Sequence, residues 1–367
     1  MELTTLNHYH YKRLQEFCSS VFVKAGVEKE QADIVAASLV QADLRGVDSH
    51  GVVRTAIYLK RVEQKMINPP KAKIRIEKED ESTALIDGCN HFGAVVGDKA
   101  LKLAMKKAKA NGVGMVGVKN SNHFGTGAFY ALRGGLKEDL VTIVMSNASQ
   151  TMPPTGGIKP FIGTNPLAVG IPCGECEPFL LDMATSVVAR GKIIVAAQKG
   201  EAIPHGWAID KNGKSTTNAE EALKGSVLPL GGPKGYGISM FIDIFSGVLT
   251  GAGFGKYVNN MYENWKAPQN VGHFFITIDV NKFMDIKTFK HRMDLYIRDI
   301  KTEPKAEDVE EIFIPGEMES RRSEQRKKNG INLSQNVQRE LTNIGMKYGV
   351  SLKDALMLNH NTEGKGV

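Results

Sequence analysis

The chain has 367 residues, of which 24% are charged and 42% are hydrophobic, and its formal net charge is +7. These proportions are typical of a globular protein, because disordered chains are poorer in apolar residues and membrane proteins need long apolar spans. At about 150 residues per domain, the length predicts about two domains. Four cysteines are too few for a disulfide framework in this length of chain, which favours a reducing compartment.

Neither a membrane nor a nucleic acid is expected as a partner. The N-terminal residues are rich in charge, and the longest apolar stretch, Ile238 to Phe254, is shorter than a membrane span and contains Asp243. We therefore expect no signal or anchor and a cytoplasmic location. The densest cationic run, Arg321 to Lys328, contains no aromatic residue, so we interpret it as a solvated helix or loop instead of a nucleic-acid site.

Apolar residues recur at helical spacing from about Tyr9 to Ile67, which predicts a helical N-terminal region. After Pro69 and Pro70, the stretch Ile74 to Asp87 alternates like strands. Further strands are predicted at Val113 to Val118, Leu140 to Ser146, Leu167 to Ile171 and Phe179 to Asp182, and helices at Ala94 to Ala110, Ala128 to Gly134 and Gly237 to Gly251. Interleaved strands and helices indicate an α/β layer, and hairpin signals predict antiparallel pairs in its sheet.

Helical patterns return near the C-terminal end of the chain. They are predicted at Asp285 to Lys301, Glu307 to Ile312 and Ser334 to Tyr348. We expect these helices to pack on the N-terminal ones. The predicted organisation is therefore a helical domain of residues 1–72 plus 282–367 and an α/β domain of residues 73–281.

Two short motifs are misleading. The string Gly112-Val-Gly114-Met-Val-Gly117 matches the dinucleotide-binding pattern of Rossmann folds, but here a helix precedes it and a strand follows, which is the reverse of the required context. We interpret it as a helix-to-strand turn. Cys173-Gly-Glu-Cys176 has the spacing of half a zinc site, but no second pair follows, so we expect a hairpin tip and no metal.

The densest polar cluster of the N-terminal region is Arg45-Gly-Val-Asp-Ser-His-Gly-Val-Val-Arg54. On a helix, His50 and Arg54 would lie on one face because they are four residues apart. An imidazole that exchanges protons beside a guanidinium that binds carboxylates suits a hydroxy or keto acid. The alternative is that Asp48 and Ser49 cap a helix while the other two side chains are solvated, and spacing alone does not decide.

Three further segments place polar groups at predicted strand ends or helix starts. Asn120-Ser-Asn-His-Phe-Gly-Thr-Gly127 puts His123 after a strand, where ligands often bind, although its polar residues could make local turns only. Asp182 ends another strand and is either a helix N-cap or a ribose or histidine partner. Gly231-Gly-Pro-Lys-Gly-Tyr-Gly237 opens an apolar helix and offers N–H groups and Lys234 to an anion, or is a simple turn.

With these segments placed, the chain resembles the malate/L-lactate dehydrogenase family, the L-sulfolactate-dehydrogenase-like group of non-Rossmann oxidoreductases. The resemblance covers nearly the whole chain. The motifs are Arg45-Gly-x-x-Ser-His-Gly51 with Arg54, Asn122-His-Phe-Gly125, Pro154-Thr-Gly-Gly157, Gly163-Thr-Asn-Pro-Leu167, Leu181-Asp-Met-Ala-Thr185, Gly232-Pro-Lys-Gly-Tyr-Gly237 and Ile314-Pro-Gly-Glu317.

The resemblance implies a homodimer in which a helical domain from both chain ends packs on an α/β domain with a mainly antiparallel sheet. It implies NAD or NADP as the cofactor. It assigns His50 as the leading general acid/base, His123 as the second candidate, and Ser49 and Arg54 as substrate contacts. The cofactor contacts that it implies are Asp182, Met183, Ala184, Lys234, Gly316, Glu317 and the strand end Ser146, Asn147 and Ala148.

In the implied reaction, the nicotinamide takes hydride from C2 of an L-2-hydroxy acid while His50 takes the hydroxyl proton. Malate or lactate is the expected substrate. Ureidoglycolate, diketogulonate, sulfolactate and cyclic imino acids are alternatives within the family, and a catalytically silent dimeric binding protein is a different class of answer. Arg190 and Lys192 could reach the 2′-phosphate of NADP or could be solvated, so the sequence leaves the choice of cofactor open.

Overall fold

The computed structural model describes residues 7–69 and 73–357, except for the side chains of residues 135–137. The described chain divides into two compact units. The first comes from the two chain ends, Met1–Lys65 and Met318–Val367, and the second is Met66–Glu317. In this division residues 282–317 group with the sheet-containing unit, whereas the sequence analysis grouped them with the N-terminal helices.

The helices and strands follow one another along the chain in an irregular alternation. In chain order they are β1 (His8–Tyr9), α1 (Tyr11–Lys24), α2 (Lys29–Leu44), α3 (Thr55–Glu63), β2 (Arg75–Glu79), β3 (Thr83–Asp87), α4 (Gly93–Asn111), β4 (Val113–Ser121), α5 (Ala128–Glu138), β5 (Leu140–Ser146), β6 (Leu167–Ile171), β7 (Phe179–Met183), α6 (Arg190–Lys199), β8 (Ala208–Ile209), β9 (Ser215–Thr216), α7 (Ala219–Lys224), β10 (Ser226–Val227), α8 (Pro233–Asp243), β11 (Val271–Asp279), α9 (Ile286–Thr302), α10 (Glu317–Asn329), β12 (Ile331–Asn332) and α11 (Gln335–Tyr348). Among the described residues, no helix is both long enough and apolar enough to cross a bilayer.

The first unit is mainly helical, as the N-terminal pattern predicts. In α2, Ala32, Val35, Ala36 and Leu39 are buried at helical spacing, so one face of the helix packs inward. Strands β1 and β12 pair antiparallel, with Tyr9 opposite Ile331. This pair joins the two chain ends within one unit.

The second unit is built on a seven-stranded sheet in the order β2-β3-β4-β11-β5-β6-β7. Only β3 and β4 pair in parallel, and α4 connects them, while the other neighbours are antiparallel. The mixed, mostly antiparallel α/β sheet predicted from the sequence is confirmed. A second sheet of three short strands has the order β10-β8-β9.

No strand was predicted from the sequence at the position of the central strand β11. It lies between β4 and β5, and its first five residues, from Val271 to Phe275, are all buried. A strand buried on both faces lacks the polar alternation that marks a half-exposed strand. Its apolar run therefore carried no clear strand signal.

Two predicted helices differ from the structure. The helix predicted at Glu307 to Ile312 is wrong, because those residues form a turn followed by non-helical backbone. The helix predicted from Gly237 begins earlier, at Pro233, and after Asp243 it continues as a π-helix over Ile244–Val248. Proline at the first helical position explains the earlier start, since its missing N–H needs no partner there.

The turn and the hairpin tip predicted for the two misleading motifs are confirmed. Gly112 ends α4 in the left-handed region with φ of 91°, and β4 starts at the next residue, so the glycine string is a helix-to-strand turn. The segment from Cys173 to Cys176 connects the antiparallel strands β6 and β7. The Asp294 carboxylate accepts backbone N–H bonds from residues 174, 175 and 176 there, which fixes the hairpin tip.

Candidate active site

The segment that carries His50 lies between α2 and α3 and is not a continuous helix. It forms two 3-10 turns, Asp48–His50 and Val52–Arg54, which are separated by extended backbone at Gly51. Helical spacing therefore does not bring His50 and Arg54 together. Ser49 links them instead, because its Oγ lies 3.0 Å from His50 Nδ1 and its carbonyl oxygen accepts a 2.6 Å hydrogen bond from Arg54 Nε.

The buried Asp43 carboxylate at the end of α2 supports this segment. Its Oδ2 accepts a 2.8 Å hydrogen bond from the Val52 backbone N–H. A Cβ atom at Gly51 would lie 1.8 Å from Asp43 Oδ1, so only glycine fits. Burial raises the pKa of Asp43 to about 8, nearby Asp48 also raises it, and the Val52 hydrogen bond and Arg326 oppose the rise.

Arg326 on α10 holds the same segment from the other chain end. Its guanidinium donates to the Asp43 carbonyl oxygen and forms an ion pair with the Asp48 carboxylate. Arg326 belongs to the cationic run that the sequence analysis interpreted as solvated. Of the two predicted alternatives for that run, helix or loop, the structure has the helix. Asp48 and Ser49 do not cap α3, whose N-cap residue is Arg54.

Electrostatics keep His50 neutral. The residue is half-buried, and burial, followed by the positive charge of Arg54, lowers the pKa of its imidazole to about 4. Burial also lowers the pKa of Arg54, but a guanidinium remains protonated in proteins. The segment therefore presents a neutral imidazole and a cation joined through one serine.

The segment that carries His123 connects β4 to α5. The His123 backbone N–H donates to Gln269 Oε1 at 3.0 Å, and its Nδ1 accepts from the Gly125 N–H at 3.4 Å. The buried Asn122 amide donates to Asn90 Oδ1 and to the His91 carbonyl oxygen, both at 2.9 Å. These contacts reach other parts of the unit, so the segment is more than a set of local turns.

Asp182 lies near the end of β7 and caps a helix, though not the one that follows it. Its Oδ2 accepts a 2.9 Å hydrogen bond from the Ala128 N–H, at the first turn of α5. The next helix, α6, has Ala189 as its N-cap residue. The carboxylate therefore fixes the helix that begins just after the His123 segment, and Met183 and Ala184 continue from the same strand end.

Ala148 follows the end of β5 and is fixed through an asparagine. Its backbone N–H donates to Asn165 Oδ1 at 2.9 Å, and Asn165 Nδ2 donates to the Ser239 carbonyl oxygen of α8 at 3.0 Å. Asn165 is completely buried. The strand end and α8 are therefore tied together by one buried side chain.

The glycine-rich start of α8 is an open surface. Gly231 and Gly232 have φ of 58° and 63°, and no atom lies within 4 Å of a Cβ built at either position. Lys234, in the first turn of α8, is exposed. The positive end of a helix, an open glycine pair and an amine together suit a phosphate group.

Gly316 and Glu317 lie beside β7. The Pro315 carbonyl oxygen accepts a 3.0 Å hydrogen bond from the Leu180 N–H, and a Cβ at Gly316 would lie 2.8 Å from Leu180 Cβ. Glu317 Oε2 accepts hydrogen bonds from Lys301 Nζ at 2.8 Å and from the Ile314 N–H at 3.0 Å. This carboxylate therefore helps to hold its own segment against α9.

Sequence reasoning missed the polar residue at the centre of this unit, His273 on β11. It is completely buried, and its ring nitrogens lie 2.8 Å from Ser146 Oγ and 2.8 Å from Ser121 Oγ. A histidine inside the apolar run Val271-Gly-His-Phe-Phe-Ile276 is the signal that could have found it, because a buried polar group needs partners.

The family model for malate/L-lactate dehydrogenase matches residues 9–342. The chain is 44% identical over 346 residues to a malate dehydrogenase of Pyrococcus horikoshii, covering 92% of this chain and 94% of the relative. The structure of sulfolactate dehydrogenase from Methanocaldococcus jannaschii superposes with a TM-score of 0.89 at 39% identity, covering 95% of this chain and 99% of that one. The fold and these relatives define a 2-hydroxy-acid dehydrogenase.

The chain belongs to the malate/L-lactate dehydrogenase family. Its relatives use either nicotinamide cofactor. A ureidoglycolate dehydrogenase (NAD(+)) of Escherichia coli is 34% identical over 87% of this chain and 90% of the relative. A (2R)-3-sulfolactate dehydrogenase (NADP(+)) of Chromohalobacter salexigens is 31% identical over 71% of this chain and 77% of the relative.

Proposed function

We propose that this 2-hydroxy-acid dehydrogenase interconverts L-malate and oxaloacetate, with lactate and sulfolactate as the competing substrates. The observation that carries the proposal is the Ser49-linked pair of a neutral His50 and a cationic Arg54. The pair offers a proton acceptor and a carboxylate ligand within one short segment, which is what oxidation of a 2-hydroxy acid requires.

His50 is the leading acid/base in this proposal. As the C2–H electron pair leaves the substrate as hydride, the hydroxyl proton passes to the imidazole and the C2–O bond becomes a carbonyl. Arg54 binds the substrate carboxylate through two hydrogen bonds and fixes the direction of the C2–H bond. An anion bound here offsets the Arg54 charge that lowers the pKa of His50, so substrate binding makes the imidazole a better base.

His123 is the alternative acid/base. Its Nδ1 accepts from the Gly125 N–H, so proton transfer would involve Nε2. Its segment is held by Gln269 and by the buried Asn122, which favours a fixed orientation of the ring.

The described residues fit NAD or NADP. The cofactor supplies the hydride acceptor when bound. The start of α8 with Lys234 would hold the diphosphate, and Asp182 would accept from a ribose hydroxyl. Further contacts are proposed at Met183, Ala184, Ala148, Gly316 and Glu317. Arg190 donates a 2.9 Å hydrogen bond to the Leu223 carbonyl oxygen. In this conformation its guanidinium joins α6 to α7 and does not bind the 2′-phosphate of NADP.

A homodimer is part of the proposal. Six large apolar side chains between Ile238 and Leu249, on α8 and the π-helix after it, are between 39% and 61% exposed: Ile238, Met240, Phe241, Ile244, Val248 and Leu249. Such a patch on one helical stretch is typical of a protein interface. A second copy of the chain is the expected partner, and analytical ultracentrifugation measures it directly.

The test compares the rates of NADH and NADPH oxidation with oxaloacetate, pyruvate, sulfopyruvate and piperideine-2-carboxylate. Fast oxaloacetate reduction is expected. We expect His50→Gln to lower kcat by about 10²-fold or more with unchanged circular dichroism, because an acid/base contributes 10²–10⁴-fold. Normal turnover by this variant would move the role to His123, for which His123→Gln is the matched comparison.

Turnover of the cyclic imine alone would overturn the hydroxy-acid assignment, and cofactor binding without any turnover would indicate a silent binding protein.

A further inference from the structure

The strand β11 places His273 between two strand ends of the sheet. His273 lies opposite Val118 on β4 and opposite Ser146 on β5. Nε2 lies 2.8 Å from Ser121 Oγ, and Nδ1 lies 2.8 Å from Ser146 Oγ. One imidazole therefore joins the ends of two strands that are not themselves neighbours.

Each of these strand ends leads directly to a residue of the proposed site. Ser121 ends β4, and His123 is the second residue after it. Ser146 ends β5, and Ala148 is the second residue after it. The ring of His273 therefore contacts the chain just before a candidate acid/base on one side and just before a candidate cofactor contact on the other.

Aromatic stacking is a second interaction that fixes the His123 segment. The Phe124 ring stacks on the His273 ring with centroids 4.6 Å apart and planes 8° apart. The Phe124 ring also stacks on Tyr130 at 5.0 Å, and the Tyr130 hydroxyl donates to the Phe124 carbonyl oxygen at 2.6 Å. The residues on both sides of His123 are thus fixed from inside the unit.

His273 acts in this arrangement as a neutral group. Burial lowers the pKa of its imidazole to about 3, against smaller opposing effects of the Asn122 and Gly272 backbone. A neutral ring donates through one nitrogen and accepts through the other, and serine hydroxyls can complement either tautomer. Its contribution is geometry, since a ring with this pKa does not titrate near neutral pH.

We propose that His273 is a positioning residue of the dehydrogenase, which sets the His123 segment through Ser121 and the Ala148 strand end through Ser146. The inference rests on the proposed function and, for the Ser121 side, on its alternative in which His123 takes part in proton transfer. It predicts that the two sides of the ring control different kinetic constants. Loosening the Ser121 side lowers kcat, and loosening the Ser146 side raises the KM for NAD(P)H.

Two substitutions separate the two sides. In His273→Asn, the amide lies near the position of Nδ1 and keeps the Ser146 contact, whereas in His273→Gln it lies near Nε2 and keeps the Ser121 contact. We expect the Asn variant to lose about tenfold in kcat with cofactor KM within about threefold of the original. We expect the Gln variant to raise cofactor KM by about fivefold or more with kcat within about threefold. Equal changes in both constants for both variants would overturn the proposal.

Gentler substitutions keep the proposal testable if the His273 variants do not fold. Ser121→Ala should reproduce the kcat loss, and Ser146→Ala should reproduce the rise in cofactor KM, each by about threefold or more. Absence of this split in both serine variants would also overturn the inference. The pH profile of kcat should keep its midpoint in every variant, because a ring that stays neutral does not supply the titrating group.

The matched control is Val144→Ala. Val144 is buried on the same face of β5, opposite Phe275, and makes no side-chain hydrogen bond. We expect a lower thermal midpoint with kcat and KM within about twofold. If Val144→Ala loses activity in the same proportion as the His273 variants at equal loss of stability, His273 has only a structural role. If His123→Gln leaves kcat unchanged, the proposed role of His123 fails, while the Ser146→Ala effect on cofactor KM still tests His273.

Discussion

The two segments that carry candidate acid/base histidines are held by opposite kinds of interaction. The His50 segment is held by ionisable groups, namely the buried Asp43 and the Arg326 pair with Asp48. The His123 segment is held by neutral groups, through the Ser121 hydroxyl at β11 and the stacked Phe124 ring. Both arrangements fix a short segment after a regular element. They differ in the perturbation that can loosen them, because charges respond to pH and salt whereas neutral contacts do not.

The largest expected effect comes from breaking the glycine contact of the His50 segment. In Gly51→Ala the new Cβ would lie 1.8 Å from Asp43 Oδ1, so the segment must move away from the carboxylate. We expect a loss of ~2 kcal/mol or more in the free energy of unfolding and a fall in kcat/KM of at least about 30-fold. Urea unfolding and steady-state kinetics measure the two effects.

The control for this substitution is Gly191→Ala, because no atom lies within 4 Å of a Cβ at Gly191 in α6. It should leave stability unchanged or slightly improved, since alanine favours a helix. A Gly51→Ala variant as active and stable as the original would show that the segment relaxes freely and is not held by its contact with Asp43.

A smaller effect, visible only as a pH dependence, is expected from Asp43→Asn. The folded state keeps the Asp43 pKa near 8, far above its value of 3.8 in an unfolded chain. Between about pH 4 and 8 the folded state therefore binds a proton that the unfolded state releases, and the stability due to this group falls as the pH rises. The asparagine variant lacks this fall, so its stability relative to the original protein should improve by ~1 kcal/mol or more from pH 5 to pH 8.

Urea unfolding at several pH values measures this difference. Asp33→Asn is the matched control in the same unit. Against the effect of burial, hydrogen bonds from Lys29 and Ser19 lower the pKa of Asp33, so its contribution is lost only as the pH falls below about 4. Parallel stability curves for Asp43→Asn and the original protein from pH 5 to pH 8 would contradict the assignment of a protonated Asp43.

The smallest effect is expected in the neutral segment. Tyr130→Phe removes the hydrogen bond to the Phe124 carbonyl oxygen but keeps the stacked rings. We expect a loss of ~1 kcal/mol in unfolding free energy, independent of pH and salt, and a kcat within about threefold of the original. A loss that varies between 0.1 M and 1 M salt would mean that charges also support this segment.

The sequence was informative where the relevant residues are neighbours along the chain. Local density of polar groups singled out the His50 and His123 segments, and turn-bounded apolar runs predicted β5 and β6 with the bounds that the structure has. The apolar helix α8 was also predicted, although its start was expected at Gly237 and lies at Pro233.

Long-range partners account for what was missed. Arg326 lies in the run interpreted as a solvated helix or loop, and its acceptor on Asp48, which is 278 residues away in the sequence, leaves no local signal. One of the two alternatives for Asp182 was an N-cap of the following helix, but the carboxylate accepts from the Ala128 N–H, which lies 54 residues before it. The roles of Asp43 and His273 depend in the same way on contacts that no local pattern encodes. The site assignments themselves remain predictions that the proposed variants test.

The central position of β11 also has a consequence for the way in which the sheet is assembled. His273 pairs across the sheet with Ser146, which precedes it by 127 residues. During synthesis, β2-β3-β4 and β5-β6-β7 leave the ribosome as two half-sheets, and the open edges of β4 and β5 stay unpaired until β11 follows. Because closure requires a contact between residues so far apart in the sequence, we expect it to be slow and the unpaired edges of β4 and β5 to be exposed to aggregation until then.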